Sequence, residues 1–255
     1  MIEVHELCKR YDDLLAVDRV SFRVEPGQVV GYLGPNGAGK STTVKMLVGM
    51  LKPTGGTARV LGLDVATQPL EVKRRIGYVP ESAALYETLS GREYLELSGR
   101  LYHLEEGTLA GRAAELAASI GLQEALDARV ATYSKGMRRK LVLAAALLHD
   151  PEVLFLDEPL DGLDVAAQAL IKTLVKRLAA AGKTIFYCSH ILEVVERICD
   201  RVIILDKGRV VADGPVDKVR AQASSLEEVF RQITGAADVE AQAARLEEAL
   251  RGGGR

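Results

Sequence analysis

The sequence has no surplus of positive charge. Its 255 residues carry 33 Lys and Arg against 35 Asp and Glu, a formal net charge of −2, whereas a nucleic-acid binder is usually basic. Two basic clusters do occur, Lys73-Arg74-Arg75 and Arg138-Arg139-Lys140. Each reads by itself as a solvated helix face. Long apolar runs are also missing. The longest, Leu141 to Leu148, falls far short of the roughly 20 residues that a membrane-crossing helix needs. Any work at a membrane is therefore expected to go through a partner. Cysteine is scarce and odd in number: Cys8, Cys188 and Cys199 show neither a disulfide framework nor metal-ligand spacing, which fits a reduced, intracellular setting. The opening stretch from Met1 to Asp13 is acidic early and lacks the apolar core of a secretory leader, so no signal peptide is expected.

What is present is ordinary globular composition, 48% hydrophobic and 27% charged, enough for one large α/β domain or two small ones. Val20 to Val24 alternates with period two, as a half-buried strand does. After Glu25-Pro26-Gly27, a β-rich run from Gln28 to Leu33 feeds a glycine-rich loop and a helix from about Lys40 to Met50. Thr57 to Leu61 and Ile76 to Val79 read as further strands. From about Ser90 to Gly121 the pattern becomes helical, with Leu109, Ala113, Leu116, Ala117 and Ile120 marking one apolar face. Strands and helices then alternate again: Val153 to Leu156, the helix Val165 to Ala181, and Thr184 to Cys188. Arg201 to Leu205 and Arg209 to Ala212 form a hairpin through Asp206-Lys207-Gly208. Such alternation implies a largely parallel sheet covered on both faces. Beyond Asp213 the chain reads as helical. Val239, Ala243, Leu246 and Leu250 follow heptad-like steps that suit either a short surface helix or a docking helix.

Gly34-Pro35-Asn36-Gly37-Ala38-Gly39-Lys40-Ser41-Thr42 matches the phosphate-loop pattern G-x-x-x-x-G-K-[ST], with a strand before it and a helix after it. The glycines let backbone amides turn toward phosphate oxygens, and the helix start aims its positive end at the same anion. Lys40 supplies a full charge for the β- and γ-phosphates, and Ser41 a hydroxyl ligand for Mg²⁺. The apolar run Val153 to Leu156 ends in Asp157-Glu158-Pro159. In a parallel sheet the carboxyl ends of the strands face the ligand crevice. Asp157 is thus expected beside Mg²⁺, and Glu158 is placed to take a proton from the attacking water.

With these residues, several further segments resemble the ATP-binding cassette (ABC) family, over roughly residues 1–235. The resemblance implies two ATPase domains facing head to tail, each ATP held by one domain's phosphate loop and the other's signature motif. The signature is similar to Tyr133-Ser134-Lys135-Gly136-Met137-Arg138, with Lys135 where glycine is usual and Met137 where glutamine is usual. Ser134 also suits an N-cap, and with Gly136 it would offer a hydroxyl and amides to the γ-phosphate of the opposed subunit. The resemblance further implies that Tyr11 stacks on adenine, and that His190 senses the γ-phosphate and helps hold the attacking water. It also implies that Glu81, standing where glutamine is usual, contacts metal or water. Asp161-Gly162-Leu163-Asp164 resembles the loop that touches the opposite subunit, with Asp161 where serine or asparagine is common.

The expected fold is an α/β P-loop NTPase core with a mostly parallel sheet, an N-terminal antiparallel β subdomain and an inserted α-helical subdomain over about 83–150. Residues 236–255 are expected to form a helical tail, partly disordered. The expected function is ATP hydrolysis, with ATP and Mg²⁺, by the motor subunit of an ABC transporter working in export. The implied partners are a polytopic membrane permease and a second ATPase subunit, a homodimer, with no nucleic acid. The implied location is cytoplasmic, peripheral on the inner face of the cell membrane. The segment Ala83–Tyr102 would pass motion to the membrane partner. Similarity to exporter ATPases rests on the Tyr133 to Met137 segment and on Ser225 to Phe230. The alternatives are an ATP-gated clamp on ribosomes or DNA, and a phosphate-loop kinase. The first usually carries two ATPase domains or long coiled coils. The second is disfavoured by the signature-type segment and His190.

Overall fold

The computed structural model describes residues 1–82, 84–221, 223–234 and 247–248. The heptad-like positions of the tail, and Ala83, lie outside the described residues. Two sheets carry the fold. The first is antiparallel, in the order β2-β1-β4-β5, from β1 (Ile2–Tyr11), β2 (Leu14–Val24), β4 (Gly55–Val60) and β5 (Leu63–Asp64). The second has the order β10-β9-β3-β8-β7-β6, from β3 (Val29–Leu33), β6 (Ile76–Val79), β7 (Val153–Asp157), β8 (Thr184–Cys188), β9 (Arg201–Asp206) and β10 (Arg209–Pro215). All its pairs are parallel except β9 with β10. That hairpin turns on Lys207 and Gly208, both at positive φ (46° and 80°), which is the backbone a two-residue hairpin loop requires.

The central strands β3, β7 and β8 are buried along their whole length, as strands covered on both faces must be. On one face the antiparallel sheet, α1 (Lys40–Leu47) and α2 (Pro69–Arg75) close over them. There Phe22, Tyr32, Phe155 and Phe186 pack with ring centroids 4.9 to 5.9 Å apart. On the other face lie α6 (Val165–Ala180) and α7 (Leu192–Ile198). α7 approaches β3 so closely that a Cβ on Gly31 would lie 2.5 Å from Val195 Cγ1. The sequence pattern predicts a first helix reaching about Met50; it stops at Leu47 because Gly49 takes a left-handed turn (φ 68°), a common way to end a helix.

A third core is wholly helical. It joins α3 (Gly91–Leu101), α4 (Glu106–Ser119) and α5 (Lys135–Leu147) through Leu95, Leu109, Ala113, Ala117, Leu141 and Leu148. α3 opens with a reciprocal cap: Glu93 N–H donates to Ser90 Oγ at 3.2 Å and Ser90 N–H to Glu93 Oε2 at 2.7 Å, which satisfies two otherwise orphaned amides. The chain then returns through β10 to α8 (Val216–Arg220) and α9 (Leu226–Thr234), and α9 buries Leu226 and Val229. Register settles where the site forms. β7 and β8 pair Asp157 with Cys188, and β3 and β8 pair Tyr32 with Cys188. The glycine-rich loop, Asp157-Glu158 and Ser189-His190 therefore leave the sheet side by side.

Candidate nucleotide site

The loop from Gly34 to Gly39 is pressed against its neighbours. A Cβ on Gly34 would lie 2.6 Å from the Leu205 carbonyl, and one on Gly39 would lie 2.5 Å from the Ala16 carbonyl. Gly37 and Gly39 sit at φ 81° and 100°, a region other residues enter only at a cost. The Lys40 amine folds inside the loop and donates to the Gly34 carbonyl at 2.5 Å and to Pro35 at 3.1 Å. It thereby stands behind the loop's amides, where a polyphosphate would bind.

Asp157 ends β7 and is buried. The Ser41 hydroxyl lies beside it. Burial pushes its carboxyl up to about 6 from the ordinary 3.8, and the charges of Glu81 and Glu158 push the same way, while Ser41 and Lys40 act against them. Between those two values the folded chain holds a proton that the unfolded chain has released, so stability falls as pH rises through the window and the loss persists above it. Asp157→Asn is expected to stabilise the nucleotide-free chain by about 1–3 kcal/mol near pH 8 and by little near pH 4, while hydrolysis is lost. Thermal unfolding at the two pH values checks this; an equal gain at both would remove the electrostatic cause.

Glu158 adopts a left-handed backbone, φ 48°, which is strained for a residue with a Cβ. Its amide donates to the Cys188 carbonyl at 2.9 Å. Both carboxylate oxygens are held: Ser189 Oγ donates to Oε2 at 3.1 Å, and His190 Nδ1 lies 2.8 Å from Oε1. The second contact requires the imidazole proton on Nδ1. Ser189 also accepts the Ile191 amide at 3.1 Å, which fixes its hydroxyl. Sequence reading singled out Glu158 and His190 but passed over Ser189, for which an alcohol beside the histidine was the only signal.

These groups open on a cleft of ≈ 470 Å³, lined by Asn36 to Thr42, Glu81, Asp157 and Glu158 together with Tyr11, Leu14 and Ala16. The Tyr11 ring is exposed, with Lys9 Nζ 5.2 Å from its centroid. A second cleft of ≈ 330 Å³ shares Asn36, Glu81 and Glu158 and adds Gly34, Pro35, Asp161, His190 and Phe230. Phe230 comes from α9, a contribution that sequence reading did not assign. Ser134 and Gly136 line neither cleft. Ser134 is exposed and caps α5, accepting the Met137 amide at 3.2 Å. Lys135 and Asp161, two of the four departures from the usual family residues, pair with each other at 2.8 Å.

Among the described residues no three His, Cys, Asp or Glu side chains converge as a ready-made metal cage. Ser41, Asp157 and Glu81 offer a hydroxyl and two carboxylates, an oxygen set that suits Mg²⁺ sharing its shell with phosphates and water. Burial raises the Asp157 pKa most and the neighbouring carboxylates of Glu81 and Glu158 raise it further; a cation would relieve that second contribution.

Arg138-Arg139-Lys140 is not a uniformly solvated face: Arg139 is buried, 4% exposed. Its guanidinium donates to the carbonyls of Pro80 and Glu158, to Glu81 O at 3.0 Å and to Asp157 O at 3.1 Å. A planar group with five donors can serve several acceptors at once, which makes burial of the charge tolerable. Lys73-Arg74-Arg75 is exposed as expected, with Arg75 bound to Glu152 at 2.7 Å.

Residues 17–161 match the family described as ABC transporter. The chain is 42% identical over 224 residues to the daunorubicin/doxorubicin resistance ATP-binding protein DrrA of Streptomyces peucetius, across 88% of this chain and 68% of that protein. It is 39% identical over 214 residues to Nod factor export ATP-binding protein I of Cupriavidus metallidurans, across 84% of this chain and 71% of that one. A solved ATP-binding subunit of an ABC transporter superposes with a TM-score of 0.86 at 35% identity, over 92% of this chain and 99% of that one. The dimeric structure of MJ0796, a bacterial ABC transporter cassette, superposes with a TM-score of 0.79 at 25% identity, over 84% and 98%.

Proposed function

The chain belongs to the ABC transporter family as an ATP-binding, ATP-hydrolysing subunit, and from that premise we propose that it powers export through a separate membrane-spanning partner and works as a homodimer that closes on ATP. The observation that carries the hydrolytic part is the clamp on Glu158, whose two carboxylate oxygens are held by Ser189 and His190 beside the phosphate loop. Export is supported by the similarity to the Nod factor export protein and fits the drug-resistance role of DrrA, and dimerisation is supported by the MJ0796 cassette.

In this reading ATP occupies the cleft behind Tyr11, with adenine on the tyrosine ring and the phosphates against the amides of Gly34 to Thr42. Lys40 meets the β- and γ-phosphates. Mg²⁺, held by Ser41, Asp157 and Glu81 with phosphate oxygens, would neutralise charge that builds on the transferring phosphoryl group. Glu158 accepts the proton of the attacking water, and His190 keeps the carboxylate aimed. Ser134 and Gly136 of a second copy close over the γ-phosphate, because their own cleft lies out of reach. Contacts that exist only with the triphosphate favour the closed form, and their loss on hydrolysis reopens it.

The membrane partner is expected on the helical side. A groove of ≈ 550 Å³ runs between the loop after β6 and helices α3 and α5, with Pro80, Tyr94, Leu101 and Ala145 among its walls. Leu101 and Met50 are exposed apolar side chains on its walls. No helix among the described residues is long and apolar enough to cross a membrane. Purification of the tagged chain from detergent-solubilised membranes tests the assignment. The expected result is a polytopic membrane protein in the complex, with ATP hydrolysis stimulated by the transported compound. Ribosomes or DNA in its place would overturn it.

A further inference from the structure

Arg139 is the one buried arginine among the described residues, and the hydrolytic reading above gives it no task. It lies one turn inside α5, the helix that Ser134 caps. Arg139 is five positions on from Ser134, which places the arginine about 140° round the helix axis from the serine and about 7.5 Å along it. Ser134 can therefore face outward while Arg139 reaches into its own subunit's site. Its acceptors belong to two loops. Pro80 and Glu81 follow β6, while Asp157 ends β7 and Glu158 follows it. One of them is the carbonyl of the residue whose backbone is left-handed at φ 48°. A conformation of that kind is unfavourable for a residue with a Cβ and persists only where its surroundings over-determine it. The Cys188 carbonyl holds the Glu158 amide, and Arg139 holds its carbonyl. With the peptide pinned at both ends, the direction of the Glu158 side chain is set.

We propose that Arg139 is a positioning residue for the hydrolytic carboxylate: it fixes the strained Glu158 backbone and the Glu81 loop to the helix that carries Ser134. It lines neither of the two clefts. Its effect is exerted through Glu158, and the inference rests on Glu158 being the base. Lysine cannot replace it, because one ammonium centre does not span four carbonyls from two loops.

The test uses the full chain with Arg139→Met, which keeps length and apolar bulk, and Arg139→Lys, which keeps the charge. A shift of about 1 Å in a reacting group costs roughly 10²-fold. Arg139→Met is therefore expected to lower kcat by about 10–100-fold, with the dissociation constant for ATP within about threefold of native, and Arg139→Lys to recover only part of the loss. If Arg139→Met does not fold, the Lys variant carries the same split between kcat and binding. Native turnover in either folded variant, or a matching loss of ATP binding, would overturn the role. A second readout separates positioning from general support of the fold. In a Glu158→Gln background the base is already absent, so adding Arg139→Lys should leave the residual hydrolysis within about threefold, and a further fall by the full single-variant factor would overturn the inference. Near-native hydrolysis by Glu158→Gln alone would instead remove the base assignment itself. A normal Glu158→Gln defect beside fully active Arg139 variants would remove only the arginine's role.

Discussion

Glu158→Gln is expected to keep ATP binding and to lower steady-state hydrolysis by about 10²–10⁴-fold, the usual contribution of a positioned general base. The substitution changes little besides charge. Glutamine has nearly the same shape, and its amide oxygen can still accept from either Ser189 Oγ or His190 Nδ1, the two donors that hold the carboxylate at 3.1 and 2.8 Å. It cannot accept from both with oxygen, because one end becomes an NH₂ donor. The phosphate loop, Lys40 and Tyr11 are untouched, so affinity should stay within a few-fold of native. A second effect follows from the closed form being favoured by the triphosphate. With hydrolysis blocked, the clamp is not released, and the variant should sediment as a dimer with ATP and as a monomer with ADP. Phosphate release and sedimentation velocity check the two halves separately. Near-native turnover would remove the base assignment, and a purely monomeric variant with ATP would count against the homodimer.

The legible parts of this molecule are those whose logic is local. Gly34 to Thr42 form a contiguous loop flanked by a strand and a helix, so residue types at fixed spacing suffice. Ser134 as an N-cap is equally local: its hydroxyl meets an amide within its own turn. The contact between Glu158 and His190 needed more, because it depends on β7 and β8 being neighbours in parallel register, with Asp157 opposite Cys188. Alternation of strands and helices suggests a parallel sheet but says nothing of strand order. Family resemblance supplied His190, and geometry then showed what it touches. Arg139 was hidden for a different reason. Charge runs on helices usually face water, and a helix pattern gives no account of which loops it will pack against. Three consecutive cations can point in three directions, about 100° apart. Here one of them meets four carbonyls whose chain ends at that spot for reasons fixed elsewhere in the sheet. The pairing of Lys135 with Asp161 was likewise invisible one residue at a time: each is a departure from the family's usual residue, and together their charges are complementary.

Lys40→Ala is expected to weaken ATP binding by about 10²-fold or more and to lower hydrolysis by about 10²–10³-fold, the scale seen when a preorganised charge on a reacting anion is lost. The lysine has two tasks in sequence. Before nucleotide arrives, its amine bridges the Gly34 and Pro35 carbonyls and so holds these carbonyls turned away from the anion-facing side of the loop. When the polyphosphate arrives, the same amine is already desolvated beside it, so little reorganisation is needed at the moment of binding. Alanine removes both functions and leaves two carbonyls without this donor. Arginine would not restore them. Its planar fork is bulkier than an ammonium, and the site holds a nitrogen at 2.5 Å from one carbonyl in a loop where a Cβ on Gly34 or Gly39 would already collide with backbone. The fold itself should survive, because the sheet, its aromatic cluster and the helical core do not involve this side chain. The variant should therefore unfold within a few degrees of native without nucleotide and lose the stabilisation that Mg·ATP confers on the native chain, about 2.7 kcal/mol at a hundredfold excess over the dissociation constant. Titration calorimetry and ligand-dependent melting read this directly. A native-sized ATP shift in Lys40→Ala would mean that the nucleotide is gripped somewhere other than this loop.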